Sequence, residues 1–347
     1  AELLQEPRVF EGDESAAAFV KRHFGRELVE RLADPLLAGV YGGTAAGLSA
    51  RAVLPRLVAL EQEHGSLARG LLHNRAQPDG REAPGPIFTT LKSGMQELVD
   101  AVAPQLAHAA VRTGTPVQRV SRGDSAWMAQ SAHGEEQFDS VILAVPAYVA
   151  AELIEDISAK LSGELRQIRY SSSVTVALAY DAAQVGAQGQ RLPPGFGFLV
   201  PRSEGKRMLA CTFAHNKFAG RAPEGGLLLR AFLGGTTDEA ALELSDEGVL
   251  RVVRQELKEI LGLDAEPLFT LIYRWPRAMA QYEVGHLERV QEIERLRQLL
   301  PGLYLIGNAY GGIGVPDCIR AGKQAADVVS GNWRPATEID DDFQHPG

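Results

Sequence analysis

Four stretches of the chain carry different hydrophobic patterns, and each predicts a different set of elements. Behind the cap candidates Asp13-Glu14-Ser15, the residues Ala16, Phe19, Val20, His23 and Phe24 recur at helical spacing. Leu28, Val29, Leu32, Leu36 and Leu37 continue that period up to a predicted break at Gly39-Val40-Tyr41-Gly42-Gly43. A second helical run spans Arg51 to Leu72 through Val53, Leu54, Leu57, Val58, Leu60 and Leu67, and a polar, Pro- and Gly-containing loop follows over 73–86. The next stretch mixes periods. A short strand is expected at Ile87 to Thr90, a helix from Met95 to Ala110, and a hairpin from Val117 to Val120 and Ala126 to Gln130. The continuous run Val141-Ile142-Leu143-Ala144-Val145, within Asp139 to Pro146, reads as a strand buried on both faces.

The third stretch is strand-rich. Candidates are Val174 to Tyr180, Gly197 to Val200, Met208 to Phe213 and Leu227 to Leu233, then a helix from Ser245 to Leu261 and a strand from Leu268 to Trp275. The fourth has the sharpest local signature. A helix from Leu287 to Leu300 stops at Pro301-Gly302, a strand Leu303 to Ile306 follows, and a Gly-rich turn from Gly307 to Asp317 leads into a helix over Cys318 to Val329, with Asp317 as its expected N-cap. An acidic tail ends the sequence.

Composition narrows the function classes. The 347 residues are 45% hydrophobic and 23% charged, an ordinary globular balance with material for more than one packed unit. The net charge of -9 argues against nucleic acid as a partner, because no basic excess exists to neutralise phosphates. Cys211 and Cys318 form no CxxC, so neither a disulfide framework nor a metal site is expected. No apolar window reaches the length of a membrane span.

The strand, Gly-rich turn and helix at 303–329 place unpaired backbone N–H groups at a helix start, and the glycines let a flat ligand approach the backbone. A tight turn between a sheet and a surface helix is the plainer reading of the same residues. No Ser/His/Asp or Cys/His pairing suggests itself. His64, His215 and His286 are scattered and read as solvated or locally bonded, so no catalytic side chain is nominated.

The segment Leu303 to Val329, LYLIGNAYGGIGVPDCIRAGKQAADVV, resembles the C-terminal flavin-binding segment of the protoporphyrinogen oxidase family, FAD-dependent enzymes of the amine-oxidase-like flavoprotein superfamily. DPLLAGVYGG (Asp34 to Gly43) is similar to part of that family's helical, membrane-facing domain. GFGFLVPRSEG (Gly195 to Gly205), GRAP (Gly220 to Pro223) and AFLGG (Ala231 to Gly235) resemble its substrate-domain strands, and TTLKSGMQEL and DSVILAVPA resemble the middle of its FAD domain. The resemblance implies a mixed α+β and α/β class, the amine-oxidase-like FAD-binding fold, incomplete at the N-terminus because no GxGxxG is present to hold the FAD pyrophosphate. It divides the chain into a helical, membrane-facing domain (1–86), the middle of the FAD-binding domain (87–155), a substrate-binding domain (156–284), a C-terminal FAD-binding segment (285–331) and a loose tail (332–347).

The resemblance also implies roles. Val117 makes backbone contacts near the adenine end of FAD, Trp275 lies near the isoalloxazine, and Ile313, Gly314 and Val315 approach the flavin from the last helix start. Leu199 and Phe232 sandwich a tetrapyrrole, Thr212 stands where the family commonly has an apolar side chain, and Gly43 lines the pocket. Core packing is the competing reading for Leu199, Phe232 and Trp275. The implied activity is oxidation of protoporphyrinogen IX to protoporphyrin IX in haem biosynthesis, by hydride transfer to FAD with oxygen as acceptor. Coproporphyrinogen III oxidation is the near alternative, then a general amine-oxidase-like activity or a non-catalytic porphyrin- or partner-binding fragment. The resemblance allows peripheral membrane contact and a homodimer, with a cytoplasmic location or one on the face of the cytoplasmic membrane.

Overall fold

A computed structural model describes residues 12–76, 89–106, 109–124 and 126–331. In chain order, helices α1 (Ala16–Phe24) and α2 (Asp34–Tyr41) precede strands β1 (Val117–Arg122), β2 (Trp127–Ser131), β3 (Gly134–Phe138), β4 (Val141–Leu143), β5 (Tyr170–Asp181), β6 (Gly197–Leu199), β7 (Met208–Phe213) and β8 (Gly226–Gly234). Helix α3 (Asp246–Leu261), strand β9 (Phe269–Ala280), helix α4 (His286–Gln298), strand β10 (Leu303–Leu305) and helix α5 (Val315–Val329) complete the order, with short helices between. The chain forms two compact units, one from 1–71 and 168–289, the other from 72–167 and 290–347.

In the first unit, five strands form a sheet in the order β6-β7-β8-β5-β9, and every described pairing is antiparallel. Side chains alternate across a strand, so each strand offers one set of residues to each face. Val174, Val176, Leu178, Leu229, Ala231, Leu233 and Phe213 share one face and are buried with Val249, Val253 and Leu257 of α3. Burying each of these Val, Leu and Phe side chains contributes about 1.5–3 kcal/mol. The Ser245 hydroxyl caps α3 by accepting from Gly248 N at 3.1 Å, and Gly262 ends it in the left-handed region at φ 70°. Buried Glu256 of α3 ties helix to sheet, its carboxylate accepting from Arg207 N and Met208 N at 2.8 Å each.

The N-terminal helices belong to the same unit. Phe19, Val20, Ala50 and Leu67 form their core, with Leu28, Val29, Leu57 and Val58 packed around it. Arg22 bridges Glu14 and Glu61, and both interactions hold its basicity above the usual level. The predicted break over Gly39 to Gly43 falls at the far end of that segment, and the helix continues through Gly39 and Val40. A π turn, Val29–Ala33, feeds α2, which runs to Tyr41 and stops at Gly42 in the left-handed region. The predicted second helix is instead interrupted before Pro55 and at Gly65 (φ 69°), because proline disfavours helix at the preceding residue and Gly65 adopts the left-handed cap. Its last part, Leu67–Ala76, runs into the predicted loop, whose remainder lies outside the described residues.

The second unit holds a three-stranded antiparallel sheet, β1-β2-β3, and a parallel pair, β10-β4. Strand β3, with the sequence GEEQF, had no hydrophobic signature to reveal it. The Trp127 indole N–H donates to the Pro301 carbonyl at 3.0 Å over Gly302, whose φ of 87° and lack of a side chain admit the ring. Strand β4 is not covered on both faces as expected: Leu143 is buried, but Ile142, pointing to the opposite face, is 38% exposed. Two helices escaped the pattern, Ala147–Leu153 and Ala159–Arg166, joined where the Ser162 hydroxyl donates to the Ala151 carbonyl at 2.9 Å. The expected helix from Met95 shortens to Gln96–Val102 with a following 3-10 turn at Pro104. Of the strand expected at Ile87 to Thr90, the first two residues lie outside the described set and the last two form no strand. The tail after Gly331 is also outside it.

Candidate functional site

The face of the five-stranded sheet opposite α3 carries four of the nine residues nominated from sequence, Leu199, Thr212, Phe232 and Trp275. Strand register sets them in rows. One row reads Leu199, Ala210, Phe232, Thr175, Tyr273 from β6 to β9. The adjacent row reads Gly197, Thr212, Arg230, Ala177, Leu271. Trp275 pairs with Ser173 and extends the face beyond Tyr273. Leu199, Thr212 and Phe232 are half-buried, while Leu271, Tyr273 and Trp275 are exposed. Thr212 therefore faces Arg230 rather than standing between Leu199 and Phe232, a place taken by Ala210.

The aromatic end of this face is held in place. The Trp275 indole N–H donates to Thr175 Oγ1 at 2.7 Å, and its ring stacks on Tyr273 with centroids 6.3 Å apart. Beyond Trp275 the β5–β9 pairing slips, so that the segment Pro276 to Ala278 bulges out. Arg277 in that bulge is the one non-glycine among the described residues with positive φ, at 46°, and its N–H donates to Ser172 Oγ at 2.9 Å. A Trp at 49% exposure, fixed through its indole nitrogen, is a presented surface and not the core residue that sequence left open.

Helix α2 closes the β6 side of the same face. A side chain at Gly39 would meet Leu199 Cδ2 at 3.5 Å. Gly43, just past the helix, is buried, and a Cβ there would collide with Gln281 Oε1 at 2.2 Å. Gln281 is immobilised by donating to the Tyr41 carbonyl at 2.7 Å and to Ser171 Oγ at 3.0 Å. The requirement for glycine at 43 comes from this buried amide, which anchors the end of α2 to the sheet.

In the second unit, the Gly-rich turn joins β10 to α5. The helix begins at Val315, earlier than expected, with Gly314 at the N-cap and Pro316 in the first turn. Asp317 is thus not the cap itself: it lies inside the first turn, and its carboxylate accepts from Gly314 N at 3.2 Å. Gly307 and Gly312 adopt φ values of 127° and 138°, open to glycine alone. A Cβ at Gly307 or Gly311 would meet no atom within 4 Å, so the backbone is open at these two positions, whereas Gly312 and Gly314 pack against the Asp317 carboxylate. Ile313 and Gly314 are half-buried and Val315 is exposed at the helix start. Val117 lies on β1 opposite Ser131, exposed. The open backbone at Gly307 and Gly311, together with the helix start, fits the edge of a flavin ring, and Ile313, Gly314 and Val315 would hold it.

The histidines separate by environment. His215 Nδ1 meets the backbone N and O of Leu228 at 3.1 Å, a local bond as expected. His286 departs from expectation: it is buried, its ring stacked on Tyr282 at 4.0 Å, and Nε2 has no partner among the described residues. Burial, reinforced by Arg289, pushes it down to about 4, so it is neutral at pH 7. No cluster of metal-ligating side chains occurs among the described residues, and no helix there is long and apolar enough to cross a membrane. Sequence reasoning passed over Arg230, Thr175 and Tyr273. The signal for Arg230 was present as a lone charge inside the apolar run Leu227 to Leu233.

Comparison with known proteins agrees with this geometry. The family model for flavin containing amine oxidoreductases matches residues 3–330. Coproporphyrinogen III oxidase of Bacillus subtilis is 35% identical over 318 residues, covering 90% of this chain and 66% of the relative. Mitochondrial protoporphyrinogen oxidase of Nicotiana tabacum is 29% identical, with 93% and 69% covered. A crystal structure of a candidate protoporphyrinogen oxidase from Exiguobacterium sp. 255-15 superposes with a TM-score of 0.80 at 31% identity, covering 94% of this chain and 69% of that one. The chain thus spans roughly two thirds of the length of these relatives. The fold is that of the amine-oxidase-like flavoproteins, FAD is the cofactor the family implies, and the chain belongs to the flavin containing amine oxidoreductases.

Proposed function

We propose that this chain carries the substrate face and the C-terminal flavin edge of an FAD-dependent porphyrinogen oxidase, with coproporphyrinogen III as its first substrate. The observation that carries the reading is the open sheet face. Leu199 and Phe232 lie in one row, and Trp275, one row further along on β9, is fixed by its bond to Thr175, so apolar and aromatic side chains are presented on this face beside the polar Thr175, Thr212 and Arg230. The similarity to the Bacillus subtilis enzyme supports the four-carboxylate substrate. Protoporphyrinogen IX, the substrate expected from sequence, is the second reading, favoured by the tobacco relative and the Exiguobacterium structure.

Bound flavin supplies the two-electron acceptor for each round of oxidation. The side chains of this chain do the rest by position. Leu199 and Phe232 hold the macrocycle by its faces and displace water from them, Thr175 fixes the Trp275 indole, and Val117, Ile313, Gly314 and Val315 serve the cofactor. The first unit is the substrate-binding part and the second the flavin-binding part in this reading. Oxygen as final acceptor, a homodimer and contact with a membrane surface through the exposed Phe24, Leu32, Leu36 and Val40 complete it.

The test is turnover of both porphyrinogens by the flavin-loaded protein, followed by porphyrin fluorescence. Oxidation of both, with the larger kcat/KM for coproporphyrinogen III, is expected. A preference for protoporphyrinogen IX would install the second reading, and flavin-loaded protein inert toward both would end the porphyrinogen assignment.

A further inference from the structure

Arg230 is out of place on the face just described. Strand register puts Thr212 on one side of it and Ala177 on the other, and Leu228 and Phe232 lie two residues along its own strand on the same face. None of these four carries a charge. Its guanidinium carbon sits 4.8 Å from the Phe232 ring centroid, so the cation is stacked on the residue proposed to hold the macrocycle. Other arginines of this unit show what usually happens. Arg207 forks onto Asp238 at 2.7 and 2.8 Å, and Arg274 reaches Asp246 at 2.6 Å and the Leu242 and Leu244 carbonyls. Arg230 has no carboxylate partner among the described residues.

A cation with no counter-ion, crowded by apolar groups, is costly unless something else completes it. The side chain still reaches solvent, yet its surroundings remove enough water to lower its basicity from the ordinary value. Solvent contact is the property that matters for a ligand, and the guanidinium stays charged throughout the working pH range. A planar fork with free donors matches a carboxylate, which it grips through two parallel bonds.

We propose that Arg230 is a carboxylate anchor of the substrate face, receiving a propionate of the porphyrinogen while Phe232 holds the adjoining ring. The inference rests on the porphyrinogen reading and adds to it a specificity-determining residue. The anchor favours substrates with more carboxylates, because a four-acid macrocycle offers a propionate in more orientations than a two-acid one.

The experiment uses the flavin-loaded protein with Arg230→Gln and Arg230→Lys, each checked for an unchanged melting temperature. Steady-state kinetics on coproporphyrinogen III and protoporphyrinogen IX are paired with a binding titration that needs no turnover, the fluorescence quenching of coproporphyrin III against its tetramethyl ester. Arg230→Gln is expected to raise KM for coproporphyrinogen III by about tenfold, with a smaller change in kcat. Arg230→Lys should recover part of that loss, since it restores charge without the fork. In binding, the wild type should prefer the free acid over the ester and Arg230→Gln should lose most of that preference. If Arg230→Gln leaves KM and the acid preference unchanged while the wild type turns over, the anchor is wrong and the porphyrinogen reading stands. If the variant weakens acid and ester equally, Arg230 merely orients Phe232 and the anchor is again wrong. If the wild type oxidises neither porphyrinogen and binds neither porphyrin, the reading falls and takes the anchor with it.

Discussion

The two faces of one sheet offer the cleanest comparison in this protein. Strands β5, β7 and β8 send alternate residues to each side. On one side Val174, Val176, Leu229 and Leu233 are buried beneath α3. On the other, one or two residues along the same strands, Thr175, Thr212, Arg230 and Phe232 lie half-buried or exposed. Backbone geometry is common to both, so the difference resides in what covers them. The covered face contributes stability through area removed from water, and the open face keeps surface for a ligand to cover. A lone Arg is tolerable on the second and would be prohibitive on the first.

Substitutions can break or sharpen this contrast. The largest effect is expected from Leu229→Ala on the covered face, which should cost about 3 kcal/mol in urea unfolding and leave KM nearly unchanged. A loss below about 1 kcal/mol would mean that this face is not a packed core.

Next comes a residue that is buried yet polar. His286 is held down to about 4 by burial, below its ordinary unfolded value near 6.5. Its neutral form is the native one, so stability is full above pH 6.5 and falls as pH drops through 6.5 toward 4, by at most about 3 kcal/mol. Urea midpoints measured from pH 7 to pH 4 should show a slope that His286→Phe reduces, because phenylalanine keeps the stack on Tyr282 and cannot titrate. An identical slope in the variant would assign the acid sensitivity to other groups.

Phe232→Ala reverses the pattern of Leu229→Ala. KM for the porphyrinogen should rise about tenfold, equivalent to about 1.4 kcal/mol, with a stability change near 1 kcal/mol or less. Equal kinetics for the two alanine variants would erase the distinction between the faces. The smallest change is expected from Ser245→Ala, which removes the α3 cap and should lower stability by about 1 kcal/mol without touching KM. A KM effect there would show that the covered face communicates with the open one.

Much of this was legible from residue pattern. The strands Met208–Phe213 and Gly226–Gly234 and the Ser245-capped helix coincide with their expected positions almost residue for residue. Each carries a strong local signal: alternation or continuous apolarity in the strands, a hydroxyl cap and a closing glycine in the helix. Leu199, Phe232 and Trp275 were nominated through family resemblance, since apolar residues in strands look alike whichever face they occupy. Polar β3 stayed hidden because a strand of Gly, Glu and Gln is held by ladder hydrogen bonds that composition does not display. The start of α5 was misplaced because Asp317 acts from within the first turn, a role that also suits a capping residue type.

Sequence alone determined the type of the strongly patterned elements, such as Met208–Phe213, Gly226–Gly234 and the Ser245-capped helix, because these signals depend on neighbours within a few residues. Tertiary structure decided which face of each strand is covered, the row that places Leu199 and Phe232 on either side of Ala210, and the packing of Gln281 against Gly43. It also decided that Arg230 has no acid beside it among the described residues. Those facts depend on strand register and on partners distant in sequence, and register follows from the simultaneous packing of both faces, which no local window contains.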